Sequence, residues 1–194
     1  ANGELIAAIA MTEPSGGSDL AALKTTAVRD GDDWVLNGSK TFITNGYQAD
    51  LVIVAARTDP AKGARGITLF MLETGMPGFT RGRKLDKVGQ EESDTAELFF
   101  TDVRVPDENR IGPEGQGFIA MMQRLPQERI GAAVANVAHA RAILVETIDY
   151  AKERKAFGQA IGSFQHNKFK LAEMVTKLEV AQAYIDDCVE AHSE

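Results

Sequence analysis

The feature that most constrains this chain is a change of hydrophobic period near Pro113. Up to that point the apolar residues come in short runs broken by turn signals. Beyond it they recur at helical spacing over long stretches. A chain with both periods in sequence folds as strands first and helices second, an α+β arrangement of two domains. The expected boundaries are 1–113 and 114–194.

The first part reads as β-rich. Strands are expected over Thr25–Arg29, Trp34–Leu36, Ser39–Thr44, Leu51–Arg57, Gly66–Leu72 and Glu97–Phe100. Turns are expected at Asp30-Gly31-Asp32, Asn37-Gly38, Asn45-Gly46 and Pro77-Gly78. Thr25–Arg29 and Trp34–Leu36 pair as a hairpin on this reading. Leu51–Ala56 is continuously apolar, as befits a strand covered on both faces. In the second part, Pro126 suits the first residue of a long helix running to about Glu153. Gly158 and Gly162 bracket a break, and Ser163 is placed to cap a second helix. Its apolar face is marked by Phe164, Leu171, Met174, Val175, Leu178, Ala181, Ile185, Cys188 and Val189. Two such helices form an antiparallel hairpin, half of a four-helix bundle, whose apolar faces need partners.

Composition narrows the function. The 194 residues carry a formal charge of −7, which argues against general nucleic-acid binding. A single cysteine, Cys188, permits no intrachain disulfide or thiolate metal cluster. The three histidines show no metal-ligand spacing, so no metal site is expected. The longest apolar run, Leu5 to Met11, is too short to span a bilayer. A reducing compartment is expected, bacterial cytoplasm or mitochondrial matrix. The abrupt start and the helix still running at the end are expected of an excised piece.

Four stretches carry candidate chemistry. Met11-Thr12-Glu13-Pro14-Ser15-Gly16-Gly17-Ser18-Asp19 joins an apolar strand to a tight turn flanked by hydroxyls. Its glycines would let backbone N–H groups approach a ligand. On spacing alone it is a β-turn with an Asp-capped helix start. Phe42-Ile43-Thr44-Asn45-Gly46 reads alone as a strand ending in a turn. Gln127-Glu128-Arg129 reads alone as dipole compensation in the first turn of a helix. Lys152, Arg154 and Lys155 read alone as a basic helix C-terminus. Gly112, Gly115 and Gly117 look superficially like a dinucleotide fingerprint, but their order is wrong and no βαβ unit surrounds them.

Taken in order, these stretches resemble the acyl-CoA dehydrogenase family along nearly the whole chain. The first stretch is similar to the family's first signature, with Ser15-Gly16-Gly17 where Gly-Ala-Gly is more usual. The resemblance implies a β-barrel-like or β-sandwich middle domain followed by helices of an incomplete four-helix bundle. It implies FAD as cofactor, with Met11, Thr12, Phe42, Ile43 and Thr44 beside the flavin. Phe42 stands where many relatives have Trp. Arg154, Phe157, Phe164 and Gln165 resemble contacts to the FAD pyrophosphate and adenosine side. Ser18, Ser93 and Arg129 resemble contacts to an acyl-CoA substrate. Glu128 matches the position from which the long-chain branch and isovaleryl-CoA dehydrogenase supply the catalytic base.

The implied reaction converts acyl-CoA thioesters to trans-2-enoyl-CoA. A carboxylate removes the α-proton and flavin N5 accepts the β-hydride. An electron-transfer flavoprotein is the implied acceptor, and a homodimer or homotetramer the implied assembly. Glu128 and Arg154 are 26 positions apart on one expected helix. At about 1.5 Å per residue that is roughly 39 Å, so Arg154 is expected to reach the FAD of a neighbouring subunit. Two alternatives stand beside this reading: an acyl-CoA oxidase or other flavoprotein of the same fold, and an inactive module that keeps the fold only.

Overall fold

A computed structural model describes residues 2–193. The chain divides into two compact units, Ala1–Met122 and Gln123–Glu194.

The first unit is built on one eight-stranded sheet. Its strands are β1 (Ala7–Ala10), β2 (Thr26–Asp30), β3 (Asp33–Thr44), β4 (Leu51–Arg57), β5 (Ile67–Glu73), β6 (Phe79–Lys84), β7 (Thr95–Pro106) and β8 (Arg110–Ile111). The order is β6-β7-β3-β2-β4-β5-β8, with β1 also paired to β4. β1 and β2 share one edge of β4: β1 runs parallel to Leu51–Val54, and Thr26 of β2 pairs with Arg57. Neighbouring β2 and β3 form the expected hairpin, closed by Gly31 and Asp32 between Asp30 and Asp33.

β4 has no exposed residue and is indeed covered on both faces. Val52, Val54 and Ala56 join the larger apolar cluster, with Leu36, Phe70, Leu72, Leu98, Val103 and Val105. Ala55 and Ile53 belong to a second cluster with Leu23, Ile67, Leu69, Phe118 and Met121. The alternation of side chains along the strand separates the two sets.

Two local expectations are corrected here, and one strand was not expected. Asn37-Gly38 is no turn; it lies inside the 12-residue β3, at a register shift between Leu36 and Gly38. A bulge needs the same permissive residue that a turn needs, so the dipeptide misleads. β6 was not foreseen because Arg81, Gly82 and Arg83 break its alternation; it is an exposed edge strand. Pro126 does not open the long helix. α1 runs Gly117–Glu153 with Pro126 inside it. The turns before it form because Met121 and its neighbours bury against the sheet's second cluster. Pro126 lacks an N–H, so the Met122 carbonyl loses its helical partner, and the division between units falls directly after Met122.

In the second unit α1 is followed by a two-stranded hairpin, β9 (Lys155–Ala156) and β10 (Gln159–Ala160), and by α2 (Gln165–Ser193). The hairpin fills the expected break. Phe157 and Gly158 turn it with φ of 52° and 81°. Ser163 does not cap α2: its hydroxyl donates to the Ala160 carbonyl at 2.6 Å, closing a 3-10 turn before the helix. An apolar groove of about 470 Å³ runs between α1 and α2, lined by Val137, Ile143, Leu144, Met174, Leu178 and Ala181.

Candidate functional site

In the sheet unit the candidate residues gather where β1 ends beside β3. Past Ala10 the chain leaves β4 and meets β3 instead: the Thr41 amide donates to the Thr12 carbonyl at 2.9 Å. Met11 is half-buried against the second apolar cluster. Glu13 and Gly16 then exchange two backbone hydrogen bonds of 3.0 Å, making the tight turn. Those bonds occupy the Gly16 N–H, which the sequence had offered to a ligand. Asp19 precedes only a 3-10 turn, Leu20–Ala22, and its side chain makes no cap. Ser18 is exposed on this loop. A methyl group on Gly17 would sit 3.3 Å from Thr12 Cγ2, so the loop folds back onto Thr12.

Opposite lies a second bulge, between Lys40 and Ile43. Phe42 sits in it with φ of 57° and is 67% exposed. An aromatic residue in the left-handed region costs on the order of 1–3 kcal/mol. Thr41 and Ile43 on either side are buried, so the bulge throws one ring out of the sheet while keeping its neighbours in. Ile43 is 2% exposed and belongs to the core, so its backbone is what it presents outside. Thr44 is exposed and pairs with Thr95.

The turn after Thr44 depends on Asp94, which sequence reading missed. This buried carboxylate accepts from the amides of Tyr47 at 2.9 Å and Gln48 at 3.3 Å. Its own carbonyl accepts from the Asn45 amide. Ser93, next in the chain, is half-buried and lines a cavity of about 510 Å³ with Lys84, Leu85, Asp86, Lys87 and Glu91. Lys87 Nζ donates to the Ser93 carbonyl.

Beneath the β1–β3 junction is the second feature missed. Lys40 Nζ, with no exposed side-chain surface, donates to Glu13 Oε1 at 2.9 Å and to the Met11 carbonyl at 3.0 Å. Glu13 also accepts from the amides of Lys24 at 2.6 Å and Thr25 at 2.9 Å. Burial pushes the Glu13 carboxyl up, but hydrogen bonds from Thr25, Lys24 and Lys40 outweigh it and hold the group below its ordinary value. Burial draws the Lys40 ammonium down, against the opposing pull of Glu13. No local signal marks the pair, because its members lie 27 positions apart.

In the helical unit the candidates fall in two places. Glu128 and Arg129 are exposed on α1. They stand well inside the helix, whose first turn holds no acidic residue, so Glu128 does not compensate its dipole. Arg129 borders an apolar cavity of about 350 Å³ with Ile130, Ala133, Ala181, Tyr184 and Cys188. Arg154 directly follows α1. Its amide donates to Tyr150 and its carbonyl accepts from Ile161, both at 2.8 Å. That second bond brings Arg154, Phe157, Phe164 and Gln165 to one end of the helix pair. Phe157 is 96% exposed, and its ring meets Phe164 edge-on at 6.3 Å. Arg154 and Gln165 are exposed beside it.

The sheet unit thus carries an exposed aromatic residue in a strained backbone conformation, and the helical unit an exposed arginine–phenylalanine corner. Comparison with known proteins places them in a class. Residues 8–103 match the family model of the acyl-CoA dehydrogenase middle domain, and residues 115–194 that of the acyl-CoA dehydrogenase C-terminal domain. The chain is 50% identical over 192 residues to the mitochondrial long-chain specific acyl-CoA dehydrogenase of Sus scrofa, covering 98% of this chain and 45% of that protein. The crystal structure of an acyl-CoA dehydrogenase from Geobacillus kaustophilus superposes with a TM-score of 0.95 at 51% identity, over 97% of this chain and 50% of that one. A structure described as an FAD-dependent dehydrogenase superposes at 0.93 with 32% identity, over 97% and 51%. The chain belongs to the acyl-CoA dehydrogenase family, carrying its middle β-domain and the first part of its C-terminal helical domain. It spans about half the length of the relatives it matches. No helix among the described residues is long and apolar enough to cross a membrane.

Proposed function

We propose that this chain forms the cofactor- and substrate-facing part of an FAD-dependent dehydrogenase that converts acyl-CoA thioesters to trans-2-enoyl-CoA. The observation that carries the reading is Phe42, a strained aromatic ring held outside the sheet. A core residue would not need that conformation, and a flat face beside an exposed Thr44 suits the isoalloxazine ring. FAD, when bound, supplies the acceptor for the β-hydrogen. Met11 and Thr12 border that ring from the β1 side. Ser18 and Ser93 are the proposed contacts to acyl-CoA, and Arg129 lies beside the reacting end. Glu128 takes the α-proton, whose acidity comes from the thioester carbonyl. The exposed Glu128 leaves one wall of its surroundings to be supplied by bound acyl chain.

Arg154 offers a planar guanidinium to a diphosphate. Phe157, Phe164 and Gln165 flank it. α1 runs without interruption from Glu128 to Glu153, which at about 1.5 Å per residue sets Arg154 roughly 39 Å from the base. We therefore assign Arg154 to the FAD of a neighbouring subunit in a homodimer or homotetramer. A complex with Glu128 and Arg154 of one chain on one FAD would refute that assignment. Electron-transfer flavoprotein is the proposed acceptor of the reducing equivalents.

The test is anaerobic titration of the holoenzyme with acyl-CoA of graded chain length, followed by flavin absorbance. Bleaching is expected; no change with any chain length would overturn the reading. Glu128→Gln should lower kcat by roughly 10²–10⁴-fold while FAD stays bound. Near-normal turnover would put the base elsewhere.

A further inference from the structure

We infer that Glu13 and Lys40 act as a buried positioning clamp, which ties the substrate-side loop and the Phe42 bulge to the same strand end. The inference rests on the functional reading above and extends it to two buried residues outside the proposed substrate and cofactor contacts.

The geometry is a closed circuit. Lys40 is the last residue of β3 before the bulge that expels Phe42. Its ammonium reaches across to the Met11 carbonyl, while the next residue, Thr41, donates to the Thr12 carbonyl. The two bonds, of 3.0 and 2.9 Å, hold Met11 and Thr12 to the root of the bulge. Glu13 continues from that strand end and accepts from the Lys24 and Thr25 amides. The carboxylate therefore closes the neck of the loop from Pro14 to Leu23, which carries Ser18. Thr25 is fixed on its other side: its carbonyl accepts from the Arg57 amide at 2.7 Å. Arg57 Nε and its terminal nitrogen donate to the carbonyls of Leu23 and Ala21. Through Lys40 and Glu13, the loop neck, the strand end and the bulge share one set of bonds.

Stability alone is a poor reason for such a pair. Removing two charges from water costs free energy that their attraction recovers only in part, and well-packed apolar replacements are often as stable. The pair has 0% and 4% exposed side-chain surface, so water recovers none of that cost. What an apolar pair could not do is hold a carbonyl, a carboxylate and two amides at fixed distances. The hydrogen bonds, not the charges, give the pair its role.

The test compares Lys40→Met with the double variant Glu13→Gln, Lys40→Met in the holoenzyme. The single variant strands a buried carboxylate and should lower Tm. The double variant removes both charges and should recover part of that Tm, because the side-chain amide keeps one acceptor for the two amides of Lys24 and Thr25. If the pair positions the site, the double variant still binds FAD at least tenfold more weakly and shows a raised KM for acyl-CoA. It is also cut faster by protease between Pro14 and Leu23. If FAD affinity, KM and cleavage rate return to normal together with Tm, the pair is merely structural and the proposal is overturned. Should neither variant accumulate, native-state hydrogen exchange on the unaltered protein decides. The amides of Lys24, Thr25 and Thr41 must open as one unit; independent opening overturns the clamp. FAD affinity, proteolysis and exchange do not depend on turnover. A holoenzyme that acyl-CoA fails to bleach therefore sinks the functional reading and leaves the clamp to be judged by these three.

Discussion

The sheet unit and the helix pair differ in how much of an apolar core they close. In the sheet unit Val52, Val54, Phe70, Leu72, Leu98, Val103 and Val105 are buried to the last few per cent. In the helical unit Ile143, Val145, Phe169, Val180 and Tyr184 are each more than half exposed, and Leu144, Ala151 and Leu178 are its buried apolar residues among those described. One unit closes a core with its own chain. The other presents its apolar stripes outward, and surfaces of that kind are stable when another surface covers them. The proposed chemistry divides along the same line. The residues proposed to border the flavin ring, with Ser18 and Ser93, lie on the sheet unit. The proposed base lies on α1, and the diphosphate arginine directly follows that helix, in the unit that exposes apolar surface.

That contrast can be broken by one pair of substitutions. Leu98→Ala empties space in a closed core and should cost about 4 kcal/mol, near the upper part of the range for buried leucine. Leu178→Ala opens onto the existing apolar groove between α1 and α2 and should cost about 2 kcal/mol or less. Equal losses by denaturant unfolding would mean that the helical face is as well covered as the sheet core. A next and smaller effect comes from Gly38. A methyl group there would lie 2.5 Å from Thr25 Oγ1 and 2.7 Å from Thr25 Cα, and the backbone atom cannot swing away. Gly38→Ala should therefore destabilise the sheet unit by about 2 kcal/mol. It should also loosen FAD, because Thr25 anchors the loop neck through Glu13. Loss of stability without any change in FAD affinity would separate the bulge from the site.

Much of the fold was legible because its signals are local. Leu51–Arg57 was placed residue for residue from an unbroken apolar run, and the β2–β3 hairpin from Asp30-Gly31-Asp32. What stayed hidden was set by distant contacts. Phe118–Met122 reads as a weak apolar stretch, and only burial against Leu23, Ile67 and Leu69 makes it the start of α1. The site shows the same division. Phe42 and Thr44 were marked by their resemblance to the family's flavin contact, since on their own they read as a strand ending in a turn. Glu13, Lys40 and Asp94 could not, because a buried charged residue is recognised by its partner, and these partners lie 27 and 46 or 47 positions away. Pattern periodicity carries no information about such pairs.

The smallest predicted effect concerns a cluster far from the β1–β3 junction and tests whether the sheet unit has electrostatic as well as apolar closure. Asp107 accepts from Trp34 Nε1 at 2.8 Å, Arg29 at 3.0 Å and Arg110 Nε at 3.0 Å. The guanidinium of Arg110 and the indole of Trp34 hold its carboxyl well below the usual carboxylate range. A carboxyl whose value is depressed by folding contributes stability that is present above its unfolded value, about 3.9, and is lost as pH falls toward the folded one. Asp107→Asn keeps an acceptor for Trp34 but removes the charge that Arg29 and Arg110 face. It should lower Tm modestly near neutral pH, and the difference from the parent should shrink as pH is taken below about 4. The ion pairs are partly exposed, so added salt should also narrow the gap. A Tm difference that stays constant from neutral to strongly acid pH would show that the aspartate serves through its shape and the Trp34 bond alone. The sheet unit would then be closed by apolar packing without help from this charge cluster.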